Sequence, residues 1–447
     1  MLTRRRLLVT GAAVGGAAAL PLAARSSQAS QIDTDGRAWE KSYSGDLDQA
    51  VLPPAEPGND YAPVITPGGA TLPFTVVDGV KVFHLVVEEV EHEFAPGLVA
   101  KCWGYNGRVH GPTFEAVMGD RVRIYVTNRL TTATTIHWHG VYVPNGMDGV
   151  GGLSQRPIAP GETFKYEWTL RQHGTFMYHS HHDEMTQMGM GLMGMIVVHP
   201  RMPTAGYRVD RDFVFMLSEW RIRPGTSRPD PNEMSEFNIL TMNAKCFPGT
   251  APLVAKVGDR VRFRFGNLSA MDHHPIHLHG HYFKVVATDG GQIPVSAQWP
   301  QTTVLVSVGS TRDVELVATE PGDWAMHCHM THHVMNQMGH NIPNMIGMKP
   351  GDLDRKIRPL LPGYMTMGEE GMGGMGEMGM AVPRNSIPMV GGVGPFGEIT
   401  MGGMFSIFKV REHLTSYDDP GWYENPKGTL ADVAAPEDLR RDGVDVR

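Results

Sequence analysis

At 447 residues the chain has room for two or three domains with cores of their own. A formal charge of −8, with no basic cluster and no long apolar run beyond the extreme N-terminus, argues against a nucleic-acid partner and against a membrane span. Gly (53) and Pro (33) are abundant and no long amphipathic period occurs, a balance that favours short strands joined by turns.

The first 30 residues, MLTRRRLLVTGAAVGGAAALPLAARSSQAS, join an arginine-rich start, an apolar stretch and a small-residue end. Thr3-Arg4-Arg5-Arg6-Leu7-Leu8 resembles a twin-arginine export signal, and Ser27-Gln28-Ala29 offers a cleavage site. Residues 1–29 are therefore expected to be an address that is removed, placing the protein in the periplasm or outside the cell, where cysteines meet an oxidising space. Three cysteines is an odd number there. Cys328 belongs to a motif described below. Cys102 and Cys246 either pair or remain small buried thiols, and the second reading is favoured because nothing in the sequence brings them together.

After an arm at 30–71, four His-X-His units follow: HWH at 137–139, HSH at 179–181, HLH at 277–279 and HCH at 327–329. Equivalent members lie 140 and 148 residues apart, which is one unit used twice. The flanks repeat as well: GDRVRIYVTNRL (119–130) matches GDRVRFRFGNLS (258–269), and GTFMYHSH (174–181) matches GDWAMHCH (322–329). These runs alternate apolar and polar residues between Gly, Pro and Asn breakers. The expectation is all-β: two β-sandwich domains, 72–200 and 205–350. Residues 351–447 read as an appendage. Its stretch GYMTMGEEGMGGMGEMGM is too glycine-rich for a core, whereas FSIFKVREHLTSYDDPGWY regains alternation and should dock back as a strand and an extended arm.

Successive side chains on a strand face opposite ways, so His327 and His329 should look to one side and Cys328 to the other. Two His, one Cys and a weak, distant Met make a blue-copper electron-transfer site, and His274, Cys328, His333 and Met338 supply those four. Eight His-X-His imidazoles remain, enough for three more metals with open positions. Trp138 should point into the core, and Tyr178 is either core filler or a redox-active neighbour. Met185, Met188, Met190, Met193 and Met195 read as pliable core. The methionines of 364–380 either bind Cu(I) or are low-complexity filler. His182, His273, His281 and His332 touch the motifs without matching ligand positions. Asp183 and Glu184 read as a solvated loop.

HWHG, HSH, HPIHLHGH and HCHxxxHxxxxM occur in the order in which multicopper oxidases carry them, and the chain resembles that family over both sandwich regions. The resemblance implies cupredoxin-like Greek-key sandwiches. It implies one type 1 copper on the Cys328 set, a type 2 copper on His137 and His277, and a type 3 pair on His139, His179, His181, His279, His327 and His329. It implies dioxygen as acceptor and a small phenolic or metal-ion reductant, Cu(I) or Mn(II), reaching the type 1 centre at an outward ring edge of His274 or His333. Asp148, nine residues after His139, would hydrogen-bond around the cluster and help deliver protons, the bland alternative being an Asp-Gly turn. The acid that family members often carry before the last type 1 histidine is His332 here, which leaves a second proton route unassigned. Only 92 residues lie between His181 and His274, too few for a third sandwich. That is similar to the two-domain, laccase-like branch, whose members form homotrimers with the trinuclear cluster between neighbouring chains. A copper-sequestering protein would not need a cysteine-bridged relay. A copper nitrite reductase would keep its blue copper in the first domain, where this chain has Ser180.

Overall fold

The strand Arg121–Asn128 shows why this sequence makes sandwiches. Val122, Ile124 and Val126 are buried while the residues between them are partly exposed, the alternation a sheet with one covered face requires. The computed structural model describes residues 52–204, 206–223, 225–337, 355–356, 359–360, 384–389 and 391–446. The export signal, the first part of the N-terminal arm, Met338 and the methionine-rich run 364–380 lie outside the described residues. Among the described residues no helix is long and apolar enough to cross a membrane.

The all-β expectation holds. In the first sandwich, Phe74–Val77, Val80–Ala95, Arg121–Asn128 and Thr163–Thr169 follow one another across one sheet, and Leu98–Tyr105 also pairs with Val80–Ala95. The facing sheet runs Phe114–Val117, Met193–His199, Gly174–His179, His137–His139. Trp138, Tyr166, Trp168 and Tyr178 fill the space between the sheets. The second sandwich repeats the plan. Arg211–Trp220 pairs in parallel with Arg260–Asn267, as Val80–Ala95 does with Arg121–Asn128.

Its facing sheet runs Leu253–Lys256, Phe405–Arg411, Gly322–Cys328, His274–Leu278, Thr303–Val306. Phe405–Arg411 thus holds the place that Met193–His199 holds in the first sandwich. It pairs in parallel with Leu253–Lys256 and antiparallel with Gly322–Cys328. The expected docking strand is therefore an internal one, and the second sandwich draws on residues well beyond 350. The methionine-rich run interrupts this sandwich, whereas an appendage would follow it. The cause is a long insertion between the HCH segment and the strand that closes its sheet. From that strand Lys409 pairs with Asp419 at 2.6 Å and lies over the ring of Trp422, both in the arm that follows, and Arg411 pairs with Asp323 of the neighbouring strand at 2.7 Å.

Between the sandwiches lies a buried ionic network. Arg264 reaches Asp212 at 2.7 Å and Asp313 at 3.0 Å, Arg262 reaches Asp212 at 3.0 Å, and Thr175 of the first sandwich donates to Asp313 at 2.9 Å. Burial pushes the Asp212 carboxyl up, but Arg264 and Arg262 outweigh it and hold the group below its usual range. Beside the network, Met177, Met193 and Met195 pack with Val214, Met216 and Leu268.

Candidate metal centres

Strand geometry sorts the HCH segment as alternation requires. Cys328 is buried in the second sandwich's core cluster, while His327 belongs to a group of imidazoles on the other face. His274 comes from the adjacent strand and His333 from the short turn Thr331–Val334. The three side chains converge: Cys328 Sγ lies 3.4 Å from His333 Nδ1 and 3.8 Å from His274 Nδ1, and the two nitrogens are 3.2 Å apart. All three are fully buried. One soft sulfur and two imidazoles closing on one point fit copper by their chemistry. Burial pushes the Cys328 thiol up to about 12, so the sulfur stays protonated until a cation takes the proton's place. Met338, the expected fourth ligand, lies outside the described residues.

The other eight histidines form two groups of four. In the first sandwich His137 contacts the rings of His139, His179 and His181 at 5.4–5.7 Å between centroids, and His139 Nδ1 faces His179 Nε2 at 3.3 Å. In the second, His277 contacts His279, His327 and His329 at 4.8–5.6 Å, and His279 Nε2 faces His327 Nε2 at 3.2 Å. Backbone carbonyls orient matching rings in both groups. The Nδ1 of His137, His179, His277 and His327 lies 2.7–2.8 Å from the carbonyls of Asp148, Ser180, Thr302 and Cys328 respectively, which leaves Nε2 available to a metal. Burial lowers His139, His279 and His327, and takes His179 and His274 to about 3, so these imidazoles are neutral, the form that binds metal. Among the described residues, ring contacts between these eight histidines stay within each group. His279 and His329 are exposed, so the second group forms an open face.

Asp148 stands beside His137, its carboxylate 3.4 Å from Nδ1, and also ends the short turn Asn145–Met147. Glu184, read as loop, places its carboxylate 3.5 Å from His179 Nδ1. Nothing in its sequence spacing marks it, since the turn into the helix Glu184–Gly189, with Asp183 at φ 46°, creates the approach. The expectation of a solvent-facing edge on His274 or His333 does not hold. His274 Nε2 meets the buried Ser269 Oγ at 2.7 Å, and His333 Nε2 faces the partly exposed Asp272 carboxylate at 3.3 Å, so of the two rings only His333 has a polar neighbour that reaches the surface. Tyr178 is core filler, donating to Pro112 O at 2.7 Å, and Trp138 is buried as expected. Cys102 and Cys246 are free thiols packed with Phe94 and Trp220. His273 and His281 accept from the backbone amides of Val308 and Glu320, and His281 Nδ1 also lies 3.4 Å from the carbonyl of His279.

Residues 86–203 and 223–346 match two family profiles, each described as multicopper oxidase. Among curated relatives, Laccase-1 of Botryotinia fuckeliana is 33% identical over 238 residues, covering 50% of this chain and 40% of that one. Copper resistance protein A of Escherichia coli is 29% identical over 323 residues, covering 61% and 51%. The chain thus spans about half the length or less of these relatives. Two solved structures, the multicopper oxidase mgLAC and the blue copper oxidase from Nitrosomonas europaea, align with a TM-score of 0.56 at 28% and 25% identity. Each alignment covers 76% of this chain and 91% of the other.

Proposed function

The chain belongs to the multicopper oxidase family, and from that membership we propose that it takes single electrons from a reductant and reduces dioxygen to water. Bound copper would supply the one-electron chemistry at the Cys328 set and the multi-electron chemistry at the histidine groups. The observation that carries the reading is the shared backbone of Cys328 and its neighbours. Its sulfur converges with His274 and His333, while His327, one residue away, joins the second histidine group. An electron arriving at the sulfur has a short through-bond path to that group. In this reading His137 and His277 hold the type 2 copper, and His139, His179, His181, His279, His327 and His329 hold the type 3 pair. Asp148, beside His137, passes protons toward reduced oxygen.

Each group of four supplies half of a trinuclear site, and among the described residues no ring contact joins one group to the other. A head-to-tail ring of three copies, each first sandwich facing a neighbour's second, completes the sites with a closed interface. Copper(I) is the favoured reductant. The surface next to His333 carries the Asp272 carboxylate and the exposed thioether of Met271, a pairing suited to a soft cation. Export to the periplasm or beyond by the twin-arginine route accords with the N-terminal sequence.

The test is to load the protein with copper and measure colour and oxygen uptake. A blue protein that consumes oxygen with Cu(I), and loses both properties in Cys328→Ser, is the expected result. Oxygen uptake persisting undiminished in Cys328→Ser would sink the assignment.

A further inference from the structure

The strand that closes the second sandwich does not approach the Cys328 set unaided. The described residues before it, 386–389 and 391–404, fold over the turn that presents His333. Met404 sits between two of the three converging residues, its amide donating to His333 O at 2.9 Å and its carbonyl accepting from Cys328 N at 3.0 Å. Gly403 makes that approach possible. Its φ is +56°, and a Cβ there would stand 2.3 Å from His333 O.

One side chain ties this segment to the ligand turn. Asn336 is buried, three residues after His333, and all its hydrogen-bonding groups that face the segment are used. Its Oδ1 accepts from Gly403 N at 2.8 Å, its Nδ2 donates to Phe247 O at 3.0 Å and Pro388 O at 3.2 Å, and its amide donates to Met389 O at 2.7 Å. Gln337 continues the seam. Its Oε1 accepts from Ile387 N at 3.1 Å, and its amide donates to Asn238 O at 2.6 Å.

We propose that Asn336 is a positioning residue for the Cys–His–His centre, locking the His333 turn to Gly403–Met404 so that this segment fixes where His333 stands relative to Cys328. The proposal rests on that centre holding copper, as argued above. Beyond the His333 amide, which donates to Met330 O at 2.9 Å, the Thr331–Val334 turn is held by Gly402 N on Val334 O at 2.7 Å and Met404 N on His333 O at 2.9 Å. Asn336 fixes Gly403 between those two donors, so losing it frees both and lets His333 pivot. Asn336 spans three separate segments, and a shorter or purely accepting side chain cannot do so. Asparagine is needed because the site asks for two donors and one acceptor from a single planar group.

The test compares wild-type protein with Asn336→Asp and Asn336→Ala, each loaded with copper. Asn336→Asp keeps the shape and loses both donors. The expected result is a native circular dichroism spectrum with a displaced or weakened blue band, a shifted reduction potential, and copper withdrawn from the Cys328 centre by a chelator roughly 10–100-fold faster. An unchanged band, potential and chelation rate, with only a lower melting temperature, would reduce Asn336 to a fold-stabilising residue and overturn the proposal. If neither variant folds, hydrogen exchange on metal-free wild-type protein decides. The amides of Gly403, Met404 and Cys328 should open together, and rapid exchange at Gly403 and Met404 beside a protected Cys328 would overturn the proposal. If wild-type protein loaded with copper is not blue, the copper reading itself fails, and the exchange experiment still judges the clasp.

Discussion

Glu219 shows what burial does to a single carboxyl beside the proposed type 1 centre. It lies near the end of the strand Arg211–Trp220, accepts from Met271 N at 2.6 Å, and has Asp272 as its acidic neighbour. Burial first, and then the negative charge of Asp272, raise its carboxyl from the ordinary 4.5 to about 8. Folded protein therefore holds this proton more tightly than unfolded chain does. The stability this contributes is fully present below the unfolded value and is lost as pH rises through the folded one, about 8. Metal-free protein is thus expected to lose a few kcal/mol of stability between roughly pH 4.5 and 8 from this group. In Glu219→Gln, which mimics the protonated form, denaturant melts across that window should flatten. A slope as steep as that of the wild type would place the linkage elsewhere.

At the scale of elements, the internal strand Phe405–Arg411 is the main consequence of the insertion that separates it from HCH. Its Phe408 and Val410 belong to the second sandwich's core, and every residue of it except Ile407 is buried. Removing it would expose the edges of Leu253–Lys256 and Gly322–Cys328 together. Chains ending at 404 are accordingly expected to leave the second sandwich unfolded, with loss of cooperative melting. Chains ending at 423 lose only residues that are largely exposed and should melt within about 0.5 kcal/mol of the full chain. Equal behaviour of the two truncations would overturn this assignment of the strand. The repeat made most of this plan legible, because GDRVRIYVTN and GDRVRFRFGN are equivalent strands and alternation alone sends Cys328 and His327 to opposite faces. The internal place of 405–411 was not legible. A strand's partners are set by pairing across distance, and a local apolar pattern carries no sign of how many residues intervene. Glu184 and Asn336 escaped for a related reason: each matters through a turn geometry or a long-range hydrogen bond that spacing does not encode.

For the whole molecule, the question is whether the two histidine groups could meet inside one chain. The contact between the sandwiches argues against it, because Thr175 of the first sandwich is hydrogen-bonded to Asp313 and Arg264 of the buried ionic network in the second. Swinging one sandwich about the other would strip Thr175 from these buried charges, at a cost of about 1.5–3 kcal/mol for each hydrogen bond to a charged group. The first group's His139 lies instead against the loop at Gly309, whose position a Cβ would place 3.9 Å from the ring. Among the described residues the groups stay apart within the chain, and in the proposed trimer a second copy would complete them. Mixed assemblies test this directly. A chain with His139→Ala is damaged in its first sandwich, and one with His279→Ala in its second. Each alone should form rings without an intact cluster. Co-expressed in equal amounts, three-quarters of randomly assembled rings contain both chains, and each of those has one junction in three where both halves are sound. About a quarter of wild-type oxygen uptake should then return. If the cluster were completed within one chain, mixing would restore nothing, and the head-to-tail arrangement would have to be abandoned.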